Sequence, residues 1–327
     1  MNITSVTDIL NGELKNSPFI SFIYSFKLNI TKVKEGDLFF AKNHDDIKEA
    51  VQKGAFCIVY DLEDVEILDE EIAWIKVVNI QKSIYSLIRY KLALKNLNAY
   101  YCDNYSFYLL DEQKFHNTYL LNKNLDKFIS NLDDISEDSY LFSNNEELLK
   151  SIYPNYKIFN KKHSVNNFIE HSMFETSFTY EDEYFQRIRV PKLYIDSFLD
   201  VYFFDKVNFD NIKIKNSNYF KPIFLDKKLN VIEHGRSEKF ILCQEDNDDL
   251  NANEIKFLNK HFSYGKTIFL SKNENTLLSS KIKKLNDIKQ LKDILKESNF
   301  NACYIIGFSY NLIIKELDDT KKEQTLF

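Results

Sequence analysis

The sequence predicts an α/β protein with more than one domain, and three observations carry that reading. Short apolar runs bounded by turn residues alternate with segments whose apolar residues recur at helical spacing. The chain has 327 residues, enough for two or three separate cores. Hydrophobic residues make up 44% of it, with 28 Phe and 20 Tyr, which excludes a disordered chain.

The first 95 residues are expected to form a compact α/β unit. Thr4 is placed to cap a short helix through Val6, Ile9 and Leu10, closed by Asn11-Gly12. Segment 19–28 is rich in β-formers, and 36–41 reads as a turn feeding a short buried strand. Segment 46–53 reads as a helix with Ile47, Ala50 and Val51 on one face and Gly54 as its stop. Strands are expected at 55–60 and 72–78, then an amphipathic helix over 81–94 carrying Ile84, Leu87, Ile88 and Leu92.

A smaller α/β unit is expected over 96–170, with strands at 105–110 and 140–143 and helices at 125–132 and 146–152. The remainder, 171–327, reads as a third α/β domain. It opens with a hairpin of 174–180 and 184–190 around Glu181-Asp182-Glu183. Strands follow at 239–244, 267–271 and 302–308, with helices at 251–262 and 287–297. The charged tail after Leu317 is expected to fray.

Composition narrows the function. The formal net charge is −6 with the signs interspersed, so nothing marks a nucleic-acid surface. Lys281-Ile282-Lys283-Lys284 is broken by Asp287 and Asp293 and reads as a solvated face. Cys57, Cys102, Cys243 and Cys303 lie far apart without a CxxC pair, as expected of reduced thiols in a reducing compartment. The N-terminus lacks the pattern of a signal peptide, and no apolar run approaches the roughly 20 residues of a membrane span. A cytoplasmic location is the expectation. The abundance of Lys, Asn and Ile resembles that of an AT-rich bacterial genome.

Three stretches of the first unit then carry a resemblance. They are Val6-Thr7-Asp8-Ile9-Leu10-Asn11-Gly12-Glu13-Leu14; Lys32-Val33-Lys34-Glu35-Gly36-Asp37-Leu38-Phe39-Phe40-Ala41; and His44-Asp45-Asp46-Ile47 with Ala50 and Lys53-Gly54-Ala55. In order and spacing this series resembles the N-terminal, UDP-sugar-recognising domain of the Mur ligases, of the type that adds D-alanyl-D-alanine. Farther on, Phe178-Thr179-Tyr180 through Ile188-Arg189-Val190-Pro191 is similar to a hairpin late in that family's central domain. Gly235-Arg236-Ser237-Glu238 is similar to the entry to its C-terminal domain. The fold implied is a Mur ligase N-terminal-like domain (1–95), a reduced central α/β unit in place of the ATPase core (96–170) and a C-terminal α/β domain (171–327).

The departures decide what function is implied. Where the family carries Asp-Ser/Thr-Arg, this chain has Asn29, Ile30 and Thr31, and the substrate loop before His44 is cut to Lys42 and Asn43. The family's central domain opens with a strand, a Gly-rich turn ending in Gly-Lys-Thr/Ser, and a helix. Such a loop wraps backbone N–H groups around phosphates and needs glycine for the close approach. Between Gly54 and Gly235 there is no glycine at all. Gly265-Lys266-Thr267 spells the end of such a loop, but its first glycine would fall at Lys260, and the order is helix then strand.

Other chemistry reads blandly. The six histidines, His44, His116, His163, His171, His234 and His261, show no metal-ligand spacing. Glu245-Asp246-Asn247-Asp248-Asp249 precedes a helix and reads as capping charge. Tyr202-Phe203-Phe204 reads as core or interface. The expectation is therefore a pseudo-ligase with no catalytic residue, no metal and no cofactor. It would act as a binding or regulatory partner in peptidoglycan precursor synthesis, with a Mur ligase or another cell-wall protein, and without nucleic acid. Two alternatives stay open. One is an active Mur-type acid–amino acid ligase with an unorthodox site for ATP and Mg; the other is a UDP-sugar binding module. Asn29, Thr31, Asn43, His44 and Arg236 are the candidate ligand contacts implied by the resemblance.

Overall fold

The computed structural model describes residues 1–208, 219–233, 237, 239–244, 248–261, 265–273 and 282–323. The chain forms two compact units, Met1–Lys161 and Lys162–Phe327. The expected division at 95 falls between a helix and a strand of the first unit, and that at 170 falls inside a strand of the second.

The first unit opens with α1 (Ile3–Leu10), β1 (Glu13–Leu14), β2 (Phe26–Lys27), β3 (Leu38–Ala41), α2 (His44–Gln52), β4 (Cys57–Tyr60), β5 (Ala73–Lys76) and α3 (Ile80–Ala93). The strands make one sheet in the order β1-β5-β4-β3-β2, with β2 to β5 parallel and β1 antiparallel at the edge. Leu38, Phe39, Phe40 and Ala41 are all buried because both faces are covered. Leu38 and Phe40 face α1 and α3, joining Val6, Leu10, Ile84, Leu87 and Ile88. Phe39 and Ala41 join Ile47 and Ala50 of α2 with Tyr60 and Trp74. The period of two in the strands and that of the helices meet in these two cores. Asn2, not Thr4, caps α1: the Thr4 amide donates to Asn2 Oδ1 at 2.8 Å.

The same unit continues with β6 (Asn98–Tyr101), α4 (Asn104–Gln113), β7 (Thr118–Leu121), α5 (Leu125–Ser130), β8 (Tyr140–Ser143), α6 (Glu146–Ile152) and β9 (Lys157–Ile158). These strands form a parallel sheet in the order β7-β8-β6-β9. Leu97, Ala99, Leu121, Phe128, Leu141 and Leu149 extend the core already built on α1 and α3. The strand expected at 105–110 is instead part of helix α4. Tyr105, Ser106, Leu109 and Leu110 are its buried residues, a helical stripe, and Asp103 caps it.

The second unit begins with the antiparallel sheet of β10 (Asn166–Ser172), β11 (Glu175–Tyr180) and β12 (Glu183–Ile188). The expected hairpin is present, turning on Glu181-Asp182, with Glu183 already in the strand. Next come α7 (Ile195–Asn208), β13 (Ile223–Leu225), β14 (Val231–Ile232), β15 (Lys239–Gln244), α8 (Asp248–His261), β16 (Thr267–Ser271), β17 (Ile282–Lys284), α9 (Leu291–Glu297), β18 (Ala302–Ile306) and α10 (Tyr310–Glu323). The helix α10 extends to Glu323, into the tail that was expected to fray, and residues 324–327 lie outside the described residues. Its Ile313 and Leu317, one turn apart, are buried on the sheet.

The larger sheet has the order β14-β13-β15-β18-β16-β17, with β15, β18, β16 and β17 parallel. Ile241, Cys303, Ile305 and Leu270 face α9 and α10. On the opposite face, Gln244 and Tyr304 bond to Glu254 of α8. The sheet is doubly wound.

Among the described residues, no helix is long and apolar enough to cross a membrane, and no group of acidic, His or Cys side chains has the arrangement of a metal site. The cysteines are free, and burial pushes the Cys57 and Cys303 thiols far above the ordinary thiol range, which keeps them unreactive.

Candidate functional site

Four of the expected contacts sit just past the carboxyl ends of β2 and β3, neighbouring parallel strands. Open α/β sheets place ligands at such ends. Asn29 follows β2, and its Oδ1 accepts from the Thr31 amide at 3.0 Å and the Thr31 hydroxyl at 2.8 Å. Asn43 follows β3 and caps α2, its Oδ1 accepting from the Asp46 amide at 2.8 Å while its Nδ2 donates to Asp46 Oδ2 at 2.8 Å. His44, the first residue of α2, is exposed. The two asparagines therefore have their side chains engaged in backbone turns, the use for which Asn is favoured at such positions. Arg236 lies outside the described residues, as do Gly235, Glu238, Glu245, Asp246 and Asn247.

The junction of β6 and α4 is where a nucleotide loop would have to lie if the resemblance held throughout. Only Cys102 and Asp103 connect the two elements. The Cys102 amide donates to the Ser143 carbonyl at 2.9 Å. The Asp103 amide donates to Asn160 Oδ1 at 2.7 Å, and the Ser106 amide donates to the Asp103 carboxylate at 2.7 Å. Asn160 Nδ2 completes the cluster by donating to Ser106 Oγ at 2.8 Å. A helix N-terminus attracts anions through its free amides and its dipole. Here a carboxylate of the chain itself occupies that position, and it would repel a phosphate.

At the other suspect motif, Gly265-Lys266-Thr267, the chain leads directly into β16, and residues 262–264 that follow α8 lie outside the described residues. The Lys266 carbonyl accepts from the Asn301 amide at 2.8 Å, which ties the turn to the start of β18. Thr267 opens β16, so the motif is followed by a strand and not by the helix that a phosphate loop requires.

Two titratable clusters in the second unit had no signature in the sequence. His163 Nε2 lies 2.8 Å from Asp200 Oδ1, and its Nδ1 lies 2.9 Å from the Tyr180 hydroxyl. These residues are 37 and 17 positions from His163, so no local spacing could reveal them. In the other cluster, Glu254 is fully buried on α8. Its Oε1 accepts from Gln244 Nε2 at 3.0 Å and from the Tyr194 hydroxyl, and its Oε2 accepts from the Tyr304 hydroxyl. Asn251 Nδ2 donates to that Tyr304 oxygen at 3.0 Å. Burial raises the Glu254 pKa to about 7 against the pull of its three donors. Burial and then the neighbouring carboxylate push the Tyr194 and Tyr304 phenols well above their ordinary range, so both remain donors.

By sequence, no family model and no curated protein matches the chain. By structure, the likeness is extensive. A MurF ligase from Thermotoga maritima in complex with ADP is 14% identical, over 92% of this chain and 97% of that one, with a TM-score of 0.51. A MurF from Acinetobacter baumannii is 10% identical over 98% of both chains, with a TM-score of 0.55. A second Acinetobacter baumannii structure, of the UDP-N-acetylmuramoylalanyl-D-glutamyl-2,6-diaminopimelate–D-alanyl-D-alanyl ligase, is 10% identical over 98% of both chains, with a TM-score of 0.53.

The chain has the Mur ligase fold. The likeness spans nearly the whole length, whereas in the sequence it was carried by three stretches of the first 95 residues and two short ones beyond residue 170. At these identities it is a likeness of fold, and what the Mur fold does in this chain rests on the residues at its sites.

Proposed function

We propose that this Mur-fold protein is a pseudo-ligase: it catalyses no ligation and acts as a binding or regulatory partner in peptidoglycan precursor synthesis, its partner being a Mur ligase or another cell-wall synthesis protein. The observation that carries the reading is the two-residue junction of β6 and α4, capped by Asp103. A triphosphate needs several amides converging on it, and this turn gives the Asp103 and Ser106 amides to Asn160 and to its own carboxylate. The fold supports the pathway, and the junction supports the loss of chemistry.

The full-length likeness to ligases also favours a second reading, an enzyme with an unorthodox nucleotide site. Incubation with UDP-MurNAc-tripeptide, D-Ala-D-Ala and Mg-ATP separates the two. No phosphate release above background is expected; ATP-dependent release together with ligated product would establish the enzyme. A third reading, a UDP-sugar binding module at the exposed edge with His44, gives thermal stabilisation by the UDP-sugar alone.

A further inference from the structure

The first unit displays aromatic rings at the end of its sheet opposite to His44. Phe19, Phe22 and Tyr24 lie on the segment entering β2, and they are 91%, 46% and 65% exposed. Phe56, just ahead of β4, lies beside them, with ring centroids 6.4 Å from Phe22 and 6.0 Å from Tyr24. Phe22 and Tyr24 meet edge to face at 5.4 Å.

The backbone under these rings is pinned. The Ile3 amide donates to the Ser21 carbonyl, the Ile20 amide to that of Glu71, the Ile23 amide to that of Met1 and the Tyr24 amide to that of Gly36. The Tyr24 ring lies directly on Gly36, where an added Cβ would come within 2.0 Å of it; that glycine has φ of +88°. A ring bedded on bare backbone on one side and open to solvent on the other is a preorganised platform.

The rim of the platform is acidic. Glu35 adjoins Gly36, the Glu71 carbonyl accepts from the Ile20 amide, and the Glu70 carbonyl accepts from Asn16 Nδ2; all three glutamates are exposed and form no ion pair among the described residues. Lys32 and Lys34 are exposed cations on the neighbouring segment, while Lys15 pairs with Glu13 at 2.5 Å and Lys53 with Glu49 at 2.7 Å. Aromatic faces and carboxylates both favour a cationic side chain over a neutral or anionic one.

We propose that Phe19, Phe22 and Tyr24, supported by Phe56 and rimmed by Glu35, Glu70 and Glu71, form a docking surface for an arginine- or lysine-bearing segment of a partner protein. This rests on the reading of the chain as a binding partner and gives that partner a chemistry. Guanidinium groups stack on the open ring faces while the rim carboxylates hold their charge.

The test uses the full chain and a labelled peptide alternating arginine and serine, followed by fluorescence anisotropy. Phe19→Ser with Tyr24→Ser leaves the net charge unchanged and is expected to weaken binding about tenfold or more. Glu70→Gln with Glu71→Gln is expected to weaken it several-fold, and a remote pair of equal charge change, Glu137→Gln with Glu147→Gln, much less. Melting curves of each variant show that it is folded. Binding that survives the aromatic substitutions, or falls as much with the remote pair, reflects net charge alone and overturns the proposal. A self-associating chain that the aromatic variant makes monomeric overturns it in favour of a second copy. A failed peptide experiment with ATP still unused removes this surface and leaves the pseudo-ligase reading. ATP-dependent ligation with peptide binding intact does the reverse.

Discussion

Replacing Glu254 by glutamine is expected to remove a fall in stability that the wild-type protein undergoes between about pH 4.5 and pH 7. The carboxyl group is fully buried and meets two phenols and an amide, and none of these three is a cation. Burial lifts its pKa from 4.5 to about 7. In that interval the folded protein holds a proton that the unfolded chain has released, so stability declines as pH rises. The decline starts near the unfolded value, and above the folded value it levels off at about 3 kcal/mol. This sign is opposite to that of a carboxylate held in a salt bridge. The glutamine side chain cannot ionise, so the difference between variant and wild type in urea titrations isolates the group from every other titration. Parallel curves for the two proteins across that range would show that Glu254 titrates normally.

Truncating Trp74 to alanine is expected to cost about 3–5 kcal/mol, the usual penalty for emptying a large buried site. Trp74 has no exposed surface, packs edge to face on Tyr60 at 6.4 Å and belongs to the core between the first sheet and α2. Its Nε1 donates to the Asp69 carbonyl at 2.8 Å, and that carbonyl would lose its partner. A loss of this size is a large part of what holds an ordinary domain folded. Trp74→Phe keeps most of the packing and is expected to cost about 1–2 kcal/mol. The chain has a single Trp, so far-UV circular dichroism replaces fluorescence as the readout. An alanine variant as stable as wild type would mean that the site collapses without a cavity.

The centre of the first sheet was legible because β3 and β4 are short, uniformly apolar and preceded by Gly36 and Gly54. Segment 105–110 misled because an aromatic-rich run suits a strand as well as a helix; the cap at Asp103 was the signal that separates them. Helix α7 escaped notice because Phe198, Leu199, Asp200, Val201, Tyr202, Phe204 and Asp205 bury it nearly all round, which erases the stripe. Among the candidate contacts, the resemblance pointed to a strand-end edge, but it could not reveal that Asn29 and Asn43 are engaged as caps. The His163 and Glu254 clusters join residues far apart in the chain, and only the fold brings those together.

The account stands on the junction between β6 and α4, where the Asp103 carboxylate accepts from the Ser106 amide at the start of the helix. Titrating the full chain with Mg-ATP in a calorimeter tests it most directly. No heat of binding is expected up to millimolar nucleotide. A saturable isotherm with micromolar affinity, lost on substitution within the first unit's second sheet, would contradict it.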